Sequence, residues 1–389
     1  MKVTRMVVLS TLISSVLLSG CQTVSNMYSG WFGGSGAKVK IAELTSFQER
    51  VQLKVLWKNQ LGEAKREVLR PYVLGNLIYA ADGEGRIYSI VANTGANIAR
   101  FEVGTRISGG VGFGVGLLIV GTIKGEVFAY EPSGKLVWKT QLTGEVLSPP
   151  AGADGIVAVR TGDGRIYGLN AIDGKQAWIY QRTLPSLSLR SHAGLVIYRG
   201  GLFAGFPGGR LAAISLANGN IGWEAVVALP KGTTELERIA DITSAPVAYD
   251  DQVCTVAYQG RIACFDPIRG ETIWARDASS LVGLSLDAKN LYYTDEKSAV
   301  LVLDRSRGSS LWKQDQLFGR NLTAPLVLGK FLIVADFKGY VHILSREDGS
   351  IVGRIATDGS AIQTAPLALD LSTFLVQTRA GGLYAVSLK

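Results

Sequence analysis

Short apolar segments separated by turn residues dominate the chain from about residue 51 onward. Residues 253–258 and 261–265, for example, are two such segments, and the pair Gln259-Gly260 lies between them. Apolar runs of this length joined by glycine-containing turns are typical of β-hairpins. No long stretch after residue 50 has the apolar period of an amphipathic helix,. The pattern therefore predicts an all-β protein.

A larger repeat groups these strands into units. Each unit has a glycine, a short apolar strand, a second glycine about ten residues later and a tryptophan four residues after that. Four units are complete: Gly125/Gly134/Trp138, Gly164/Gly174/Trp178, Gly209/Gly219/Trp223 and Gly260/Gly270/Trp274. Three more keep the spacing with a substitution, namely Gly85/Gly95/Ala99, Ser298/Gly308/Trp312 and Gly339/Gly349/Gly353. We expect the tryptophans to pack between neighbouring units, where a large ring buries the most apolar area.

An eighth unit is divided between the two ends of the chain. Gly382 opens a last strand over residues 383–388, and the missing outer strand is supplied by residues 51–57, which contain Trp57. A circular array closed in this way leaves no sheet edge exposed at the seam. The sequence thus predicts an eight-bladed β-propeller of four-stranded antiparallel blades, with the N-terminal strand closing the last blade.

The first residues have the features of a targeting segment. Lys2 and Arg5 give a basic start, residues 7–18 form a short apolar run, and Leu18-Ser19-Gly20-Cys21 follows,. That tetrapeptide resembles the bacterial lipobox, which implies signal cleavage before Cys21 and acylation of Cys21. An ordinary secretory signal with an incidental cysteine is the alternative. Residues 1–20 are therefore predicted to be a lipoprotein signal peptide.

The segment after Cys21 has no strand pattern. Residues 21–50 include the glycine-rich stretch 30–36 and are predicted to form a lipid-anchored flexible tether, followed by the propeller at residues 51–389,. Gln22, rather than aspartate, follows the cysteine, and the lipoprotein resemblance then implies sorting to the outer membrane. We expect the propeller to lie at the periplasmic face of that membrane.

Composition narrows the range of partners. The chain is 47% hydrophobic, yet no second apolar run of membrane length follows the signal,. The formal charge of +8 falls to +6 without Lys2 and Arg5, and the remaining lysines and arginines are dispersed along the repeats. A nucleic-acid partner is therefore not expected, because such a surface clusters its positive charge.

Catalytic patterns are not found in the sequence. The two histidines, His192 and His342, are far apart, and no zinc-binding spacing or Gly-x-Ser-x-Gly elbow is present,. Asp82, Asp163 and Asp336 fall near hairpin tips, where turn formation explains them better than catalysis. The glycine run 109–114 fits close strand packing better than a dinucleotide fingerprint. We expect no catalytic site, no metal and no cofactor.

Two cysteines remain besides Cys21. Cys254 and Cys264 lie on consecutive strands around one turn, close to opposite each other. An oxidising periplasm permits a disulfide between them. The register is uncertain by one residue, however, and a slip of one residue turns a side chain to the other face of the sheet. A disulfide and two buried free thiols both stay open, with free thiols as the default.

The repeat is stretched at two neighbouring connections. The segment after Trp178 contains Leu187, Leu189 and Arg190, and the segment after Trp223 contains Glu235, Arg238 and Asp241. Insertions in repeat proteins usually mark the binding face. Apolar anchors ringed by charged residues are typical of a protein interface. The alternative is that the leucines pack back onto the blade while Arg190 pairs with Asp241 internally.

Taken together, these features resemble the BamB family, the propeller lipoproteins of the β-barrel assembly machinery. The resemblance covers essentially the whole chain and is most specific at segments 185–190 and 234–241. It implies binding to the POTRA domains of BamA, chiefly the third, with indirect contact to other subunits of the machinery. Leu187, Leu189, Arg190 and Asp241 match family contact residues, whereas Thr243 replaces an aspartate. Whether nascent outer-membrane proteins also bind is left open.

Two other classes share the predicted fold. Quinoprotein dehydrogenases have the same eight-bladed repeat, but they hold pyrroloquinoline quinone and calcium and commonly carry adjacent cysteines, which this chain lacks. Because fold does not determine function, that similarity alone does not predict an enzyme. A generic periplasmic scaffold for peptides or peptidoglycan is the third class. Only the two stretched connections separate it from the first.

Overall fold

The fold consists of short strands joined by tight turns. We describe residues 41–389 from a computed structural model of the chain. In chain order the strands are β1 (Leu53–Gln60), β2 (Tyr72–Leu74), β3 (Leu77–Ala81), β4 (Arg86–Val91), β5 (Asn97–Glu102), β6 (Ile107–Gly114), β7 (Leu117–Thr122), β8 (Glu126–Tyr130), β9 (Leu136–Gln141), β10 (Ala151–Ala153), β11 (Ile156–Arg160), β12 (Arg165–Asn170), β13 (Gln176–Gln181), β14 (Leu195–Tyr198), β15 (Gly201–Phe206), β16 (Arg210–Ser215), β17 (Ile221–Val226), β18 (Val247–Tyr249), β19 (Gln252–Val256), β20 (Gly260–Phe265), β21 (Thr272–Ala278), β22 (Leu284–Leu286), β23 (Asn290–Thr294), β24 (Val300–Asp304), β25 (Ser310–Gln314), β26 (Leu326–Leu328), β27 (Phe331–Ala335), β28 (Tyr340–Ser345), β29 (Ile351–Ala356), β30 (Leu367–Ala368), β31 (Thr373–Gln377) and β32 (Gly382–Leu388).

These strands form consecutive antiparallel blades of four. Six blades are separate four-stranded sheets, and the remaining two, β6–β9 and β10–β13, are joined into one sheet by a single parallel pairing of Gly114 with Gly152. The last blade has the order β1-β32-β31-β30, and β1 pairs with β32 from Leu53↔Leu388 to Gln60↔Gly382. The predicted propeller fold is confirmed, including closure of the last blade by the N-terminal strand.

The glycine run 109–114 makes that extra pairing sterically accessible. A Cβ atom on Gly112 would lie 2.0 Å from the Pro150 carbonyl oxygen, and one on Gly114 would lie 2.3 Å from the Gly152 carbonyl oxygen. Only residues without a side chain allow two inner strands to approach so closely. Close strand packing, predicted for this run, is therefore its role.

The tryptophans on the outer strands dock each blade onto the next. Trp138 stacks on the turn at Gly174 and its indole N–H donates to the Ala171 carbonyl oxygen at 2.8 Å. Trp178, Trp223, Trp274 and Trp312 repeat this geometry with donor–acceptor distances of 2.7–3.1 Å. Trp57 does the same at Ala92 in the first complete blade, again at 2.8 Å. The predicted inter-blade packing is confirmed, and Trp57 carries it across the seam.

The two units without a tryptophan have a physical explanation. Gly353 precedes the last blade, whose outer turn is replaced by the two chain ends, so no turn is available for a ring to dock on. A Cβ atom on Gly353 would instead lie 2.7 Å from a methyl group of Val51. In the first complete blade, the aromatic contact with the turn at Gly134 comes from Phe101, two residues after Ala99.

The segment just before the first strand contacts the propeller. Residues 42–389 form one compact unit, so the propeller unit begins before the first strand. The Ala42 N–H donates to the Phe318 carbonyl oxygen at 2.9 Å, and the Arg50 N–H donates to the Val352 carbonyl oxygen at 2.9 Å. This segment shows no strand pattern in the sequence because side-chain contacts and isolated backbone hydrogen bonds hold it in place. It does not form the continuous row of hydrogen bonds of a β-strand in a sheet. Cys21, the predicted signal peptide and the part of the predicted tether before residue 41 lie outside the described residues.

Three buried side chains and the partly buried Arg354 hold this N-terminal segment. Arg320 donates to the Ala42 carbonyl oxygen at 3.1 Å and to Asp336 at 2.6 Å. Arg354 donates to the Thr45 carbonyl oxygen at 3.1 Å and to Nδ1 of His342 at 3.1 Å, while Nε2 of His342 lies 3.1 Å from Asp336. We call Arg320, Asp336, His342 and Arg354 the clamp cluster. It ties the N-terminal segment to the seventh blade.

Cys254 and Cys264 are joined by a disulfide. They are directly opposite each other on β19 and β20, with their Cα atoms 4.1 Å apart. Both side chains are fully buried. The default expectation of two free thiols is wrong, because the register that the sequence left open places both side chains on the same face.

None of the residues described here belongs to a helix that is long and apolar enough to cross a membrane.

Candidate protein-binding face

One face of the propeller carries the connections that link each outer strand to the next inner strand. The hairpins between the second and third strands lie on the same face, since the Gly162 N–H in one hairpin donates to the Glu145 carbonyl oxygen in a connection. The connections 182–194 and 227–246 are the longest on this face. The two enlargements expected from the sequence are therefore present and adjacent.

The leucines of the first connection divide between the surface and the blade. Leu187 is 38% exposed, whereas Leu189 is half-buried. Leu184 packs back onto the blade, and its side chain lies 2.8 Å from where a Cβ atom of Gly164 would be. Leu187 is thus the apolar side chain that this connection exposes to solvent.

Asp241 is placed inside the protein rather than on the rim. It is only 2% exposed, and its carboxylate accepts hydrogen bonds from the backbone N–H of Leu189 at 2.7 Å and of Gly208 at 2.9 Å. A buried carboxylate needs such donors, because leaving it unpaired is costly. The sequence identified Asp241 as a contact residue, whereas the structure gives it the internal role of joining the two enlarged connections.

Arg190 pairs with Glu145 of the connection 142–150, which precedes the two enlarged connections. Its guanidinium donates to the Glu145 carboxylate through Nε at 3.1 Å and Nη2 at 3.0 Å, and the buried Glu67 lies 4.0 Å away. The hydrogen bond and charge of Glu145 raise the pKa of Arg190. The internal Arg190–Asp241 pair considered as an alternative is not formed. About half of the Arg190 side chain remains exposed.

The second connection projects farther into solvent. Glu235 and Arg238 are exposed, and Leu236 is 69% exposed. Glu237 accepts hydrogen bonds from the backbone N–H groups of Thr233 and Thr234 at 2.9 and 3.1 Å, and these bonds lower its pKa. The turn that presents Leu236 is therefore fixed locally.

Three exposed apolar residues near these connections were not identified from the sequence. Leu229 is 61% exposed, and Leu281 and Val282 in the short connection 279–283 are 44% and 38% exposed. Thr243 donates to the Leu281 carbonyl oxygen at 2.9 Å and so fastens the second connection to the third. We call the connections 182–194, 227–246 and 279–283 the loop surface. The sequence did not point to Leu281 and Val282, because the reasoning relied on enlarged connections and theirs is short.

Two of the three aspartates expected at hairpin tips bind the turn backbone, whereas Asp163 accepts hydrogen bonds from the side chains of Thr161 and Arg165. Asp82 accepts hydrogen bonds from the backbone of Glu84 and Arg86, and Asp336 accepts them from Lys338 and Tyr340. Within residues 41–389, no three His, Cys, Asp or Glu side chains come together as a metal site.

Comparisons with known proteins agree on one family. The family profile described as outer membrane protein assembly factor BamB matches residues 83–314. The curated protein of that name from Nitrosomonas eutropha is 43% identical over 392 residues, covering 99% of this chain and 95% of the relative.

Solved structures support the same fold. The crystal structure of BamB from Moraxella catarrhalis has a TM-score of 0.79 and 26% identity, covering 86% of this chain and all of that one. A quinohemoprotein alcohol dehydrogenase from Comamonas testosteroni has a TM-score of 0.70 over 88% of this chain and 78% of that one. At 12% identity it shows the fold alone,. The matches in sequence and structure together show that the chain belongs to the BamB family of outer membrane protein assembly factors.

Proposed function

We propose that this protein is a non-enzymatic scaffold lipoprotein of the β-barrel assembly machinery. It is anchored through Cys21 at the periplasmic face of the outer membrane and supports folding and insertion of outer-membrane β-barrel proteins. Its loop surface binds the POTRA domains of BamA, chiefly the third. The observation that carries the proposal is the set of exposed apolar residues on three neighbouring connections: Leu187, Leu229, Leu236, Leu281 and Val282.

The loop surface has the composition of an interface. Exposed leucines provide apolar anchors, and Arg190, Glu235 and Arg238 provide charged groups around them. Apolar anchors dominate binding energy when a partner excludes water from them, while rim charges mainly tune encounter and salt dependence. Leu189 contributes less exposed area than Leu187, and its backbone N–H is held by Asp241.

Internal hydrogen bonds prepare the loop surface for binding. Asp241 joins connection 227–246 to connection 182–194, and Thr243 joins connection 227–246 to connection 279–283. Glu145 forms hydrogen bonds with Arg190. Connections that are already ordered lose less conformational entropy when a partner binds. Asp241 therefore supports binding by positioning the loops rather than by touching the partner.

Capture of the partner tests the proposal. The full-length lipoprotein, purified from membranes in mild detergent, should bring down a POTRA-bearing outer-membrane protein identifiable by mass spectrometry. The isolated POTRA domains should then bind the purified propeller directly. Recovery of peptidoglycan fragments or unrelated peptides instead, with no POTRA-bearing protein, would contradict the assignment.

The lipid anchor has its own test. Cys21→Ala should remove the acyl chains and move the protein from the outer-membrane fraction to the soluble fraction, or block cleavage at this site, because multiple acyl chains supply the stable membrane binding. Mass spectrometry of the mature N-terminus and membrane fractionation check this. A Cys21→Ala protein that still sedimented with outer membranes in the absence of BamA would rule out the anchor.

A further inference from the structure

A cavity of about 290 Å³ lies beneath the first connection of the loop surface. Residues Ser188–Ser191 line it from the loop side, Thr161 and Gly162 from a hairpin, and Arg160 from the end of β11. The cavity is at the lower limit for drug-sized ligands but has ample room for one side chain.

Arg160 is a partly buried cation, and none of the described carboxylates is its counter-ion. Its Nη1 donates to the Gly205 carbonyl oxygen at 2.6 Å, and its guanidinium lies over the Phe206 ring at 5.1 Å. No carboxylate among residues 41–389 comes within ion-pair distance of it. Burial lowers the pKa of Arg160 to about 10, which still leaves the group charged at neutral pH. Carbonyl dipoles and a ring face offset the lost hydration only in part.

The other charged groups around the cavity are already paired. Of the residues that line it, only Glu145, Arg160 and Arg190 are charged, and Glu145 forms a two-point ion pair with Arg190. The positive charge of Arg160 therefore dominates the cavity. Hydroxyl groups of Ser148 and Ser188 line the same space and can donate hydrogen bonds to an anion,.

We propose that this cavity is a carboxylate-binding pocket that receives an aspartate or glutamate side chain of the protein partner docked on the loop surface. The identity of the occupant rests on the proposed function. A partner is favoured over a free metabolite because the same connection forms the wall of the pocket and presents Leu187, so a protein covering Leu187 also covers the pocket. The planar guanidinium of Arg160 matches a carboxylate in geometry and charge.

The pocket can be tested without any partner. The arginine side-chain NMR resonance of Arg160, assigned by its loss in Arg160→Lys, should shift saturably when sodium acetate is added to the intact propeller. Sodium chloride at equal ionic strength and acetamide should produce no saturable shift. If chloride gave the same shift as acetate, or if acetate gave no shift, the proposal that the cavity binds a carboxylate would be rejected.

The occupant is tested by affinity for isolated POTRA domains. Arg160→Met should weaken binding at least about tenfold, because it removes one side of a buried charge pair, and Arg160→Lys should lose less. Arg199→Met, which removes an exposed arginine in the hairpin between β14 and β15, should change affinity less than about twofold,. Melting temperatures are recorded for all variants.

The remaining outcomes separate the two proposals. If the pocket accepts a partner carboxylate, one acidic-to-amide substitution in the POTRA domain should show no further loss when combined with Arg160→Met. If Arg160→Met bound the POTRA domains with wild-type affinity, the proposal that a partner carboxylate occupies the pocket would be rejected. If the wild-type propeller binds no POTRA domain, the proposed function fails, while the acetate experiment still decides the pocket. The acetate result also decides it if Arg160→Met does not fold.

Discussion

The seam of the propeller and its loop surface are both departures from the same repeat, but they differ in what they bury. At the seam, Trp57 is 9% exposed, and its indole N–H donates to the Ala92 carbonyl oxygen of the neighbouring blade. Val51 is 3% exposed and packs against Gly353. On the loop surface, Leu236 is 69% exposed and Leu187 is 38% exposed. The apolar side chains of the seam are buried within the protein, whereas the loop surface leaves apolar side chains exposed to water.

This difference indicates separate roles for the two regions. Residues that complete the repeat gain stability through strand pairing and ring burial, and their loss opens the ring. Residues that extend the repeat add little burial of their own, and a polar hydrogen-bond network centred on Asp241 holds them in place instead. Stability and partner affinity should therefore respond to different substitutions.

The largest expected effect comes from breaking the seam. Deleting residues 51–57 should lower the free energy of unfolding by more than about 4 kcal/mol, since loss of one buried tryptophan alone has costs of this size and pairing with β32 is also lost,. Deleting residues 22–40, as a matched control, should leave it nearly unchanged. Denaturant unfolding measures both. Equal effects of the two deletions would contradict closure by the N-terminal strand.

A smaller effect is expected at the base of the loop surface. Asp241→Ala leaves the backbone N–H groups of Leu189 and Gly208 without their acceptor and should cost about 1–3 kcal/mol of stability,. Affinity for POTRA domains should fall as well, because the two connections lose their link. Glu235→Ala, at an exposed position, should leave stability unchanged. Weakened binding with full stability in Asp241→Ala would instead indicate direct contact with the partner.

The smallest effect is a pH dependence at the clamp cluster. Burial lowers the pKa of His342, against the hydrogen bond and charge of Asp336, so the histidine is neutral in the folded protein. As pH falls below the ordinary value of 6.5, the unfolded chain binds the proton first and stability falls,. Between pH 7.5 and 5.5, His342→Gln should flatten this decline relative to the wild type,. Identical pH slopes in the two proteins would exclude His342 as the source.

The fold could be predicted because its determinants recur. A glycine turn and a tryptophan that docks on the next turn produce a spacing visible in sequence, as at Gly174 and Trp138. The contacts of residues 42–50 with the propeller could not be predicted from the repeat. Isolated hydrogen bonds from Arg320 and Arg354 hold these residues, and such contacts leave no periodic pattern in the sequence.

The candidate site was predicted less completely than the fold. The length of the connections located the surface, but sequence does not show which way a side chain in an irregular loop points. Asp241 was therefore assigned to the rim although it faces inward, and the solvent-exposed Leu281 was missed in a connection of ordinary length. Arg160 gave no signal, because the absence of a counter-ion is visible only in three dimensions.

The most direct test of the central claim is the affinity of loop-surface variants for isolated POTRA domains, measured together with melting temperature. Leu187→Ala and Leu236→Ala should each weaken binding by about 2 kcal/mol at unchanged melting temperature. Leu371→Ala, which removes a 93% exposed leucine between β30 and β31, should bind as the wild type does. Unchanged affinity in both loop variants, or a loss of stability that accounts for weaker binding, would contradict the account.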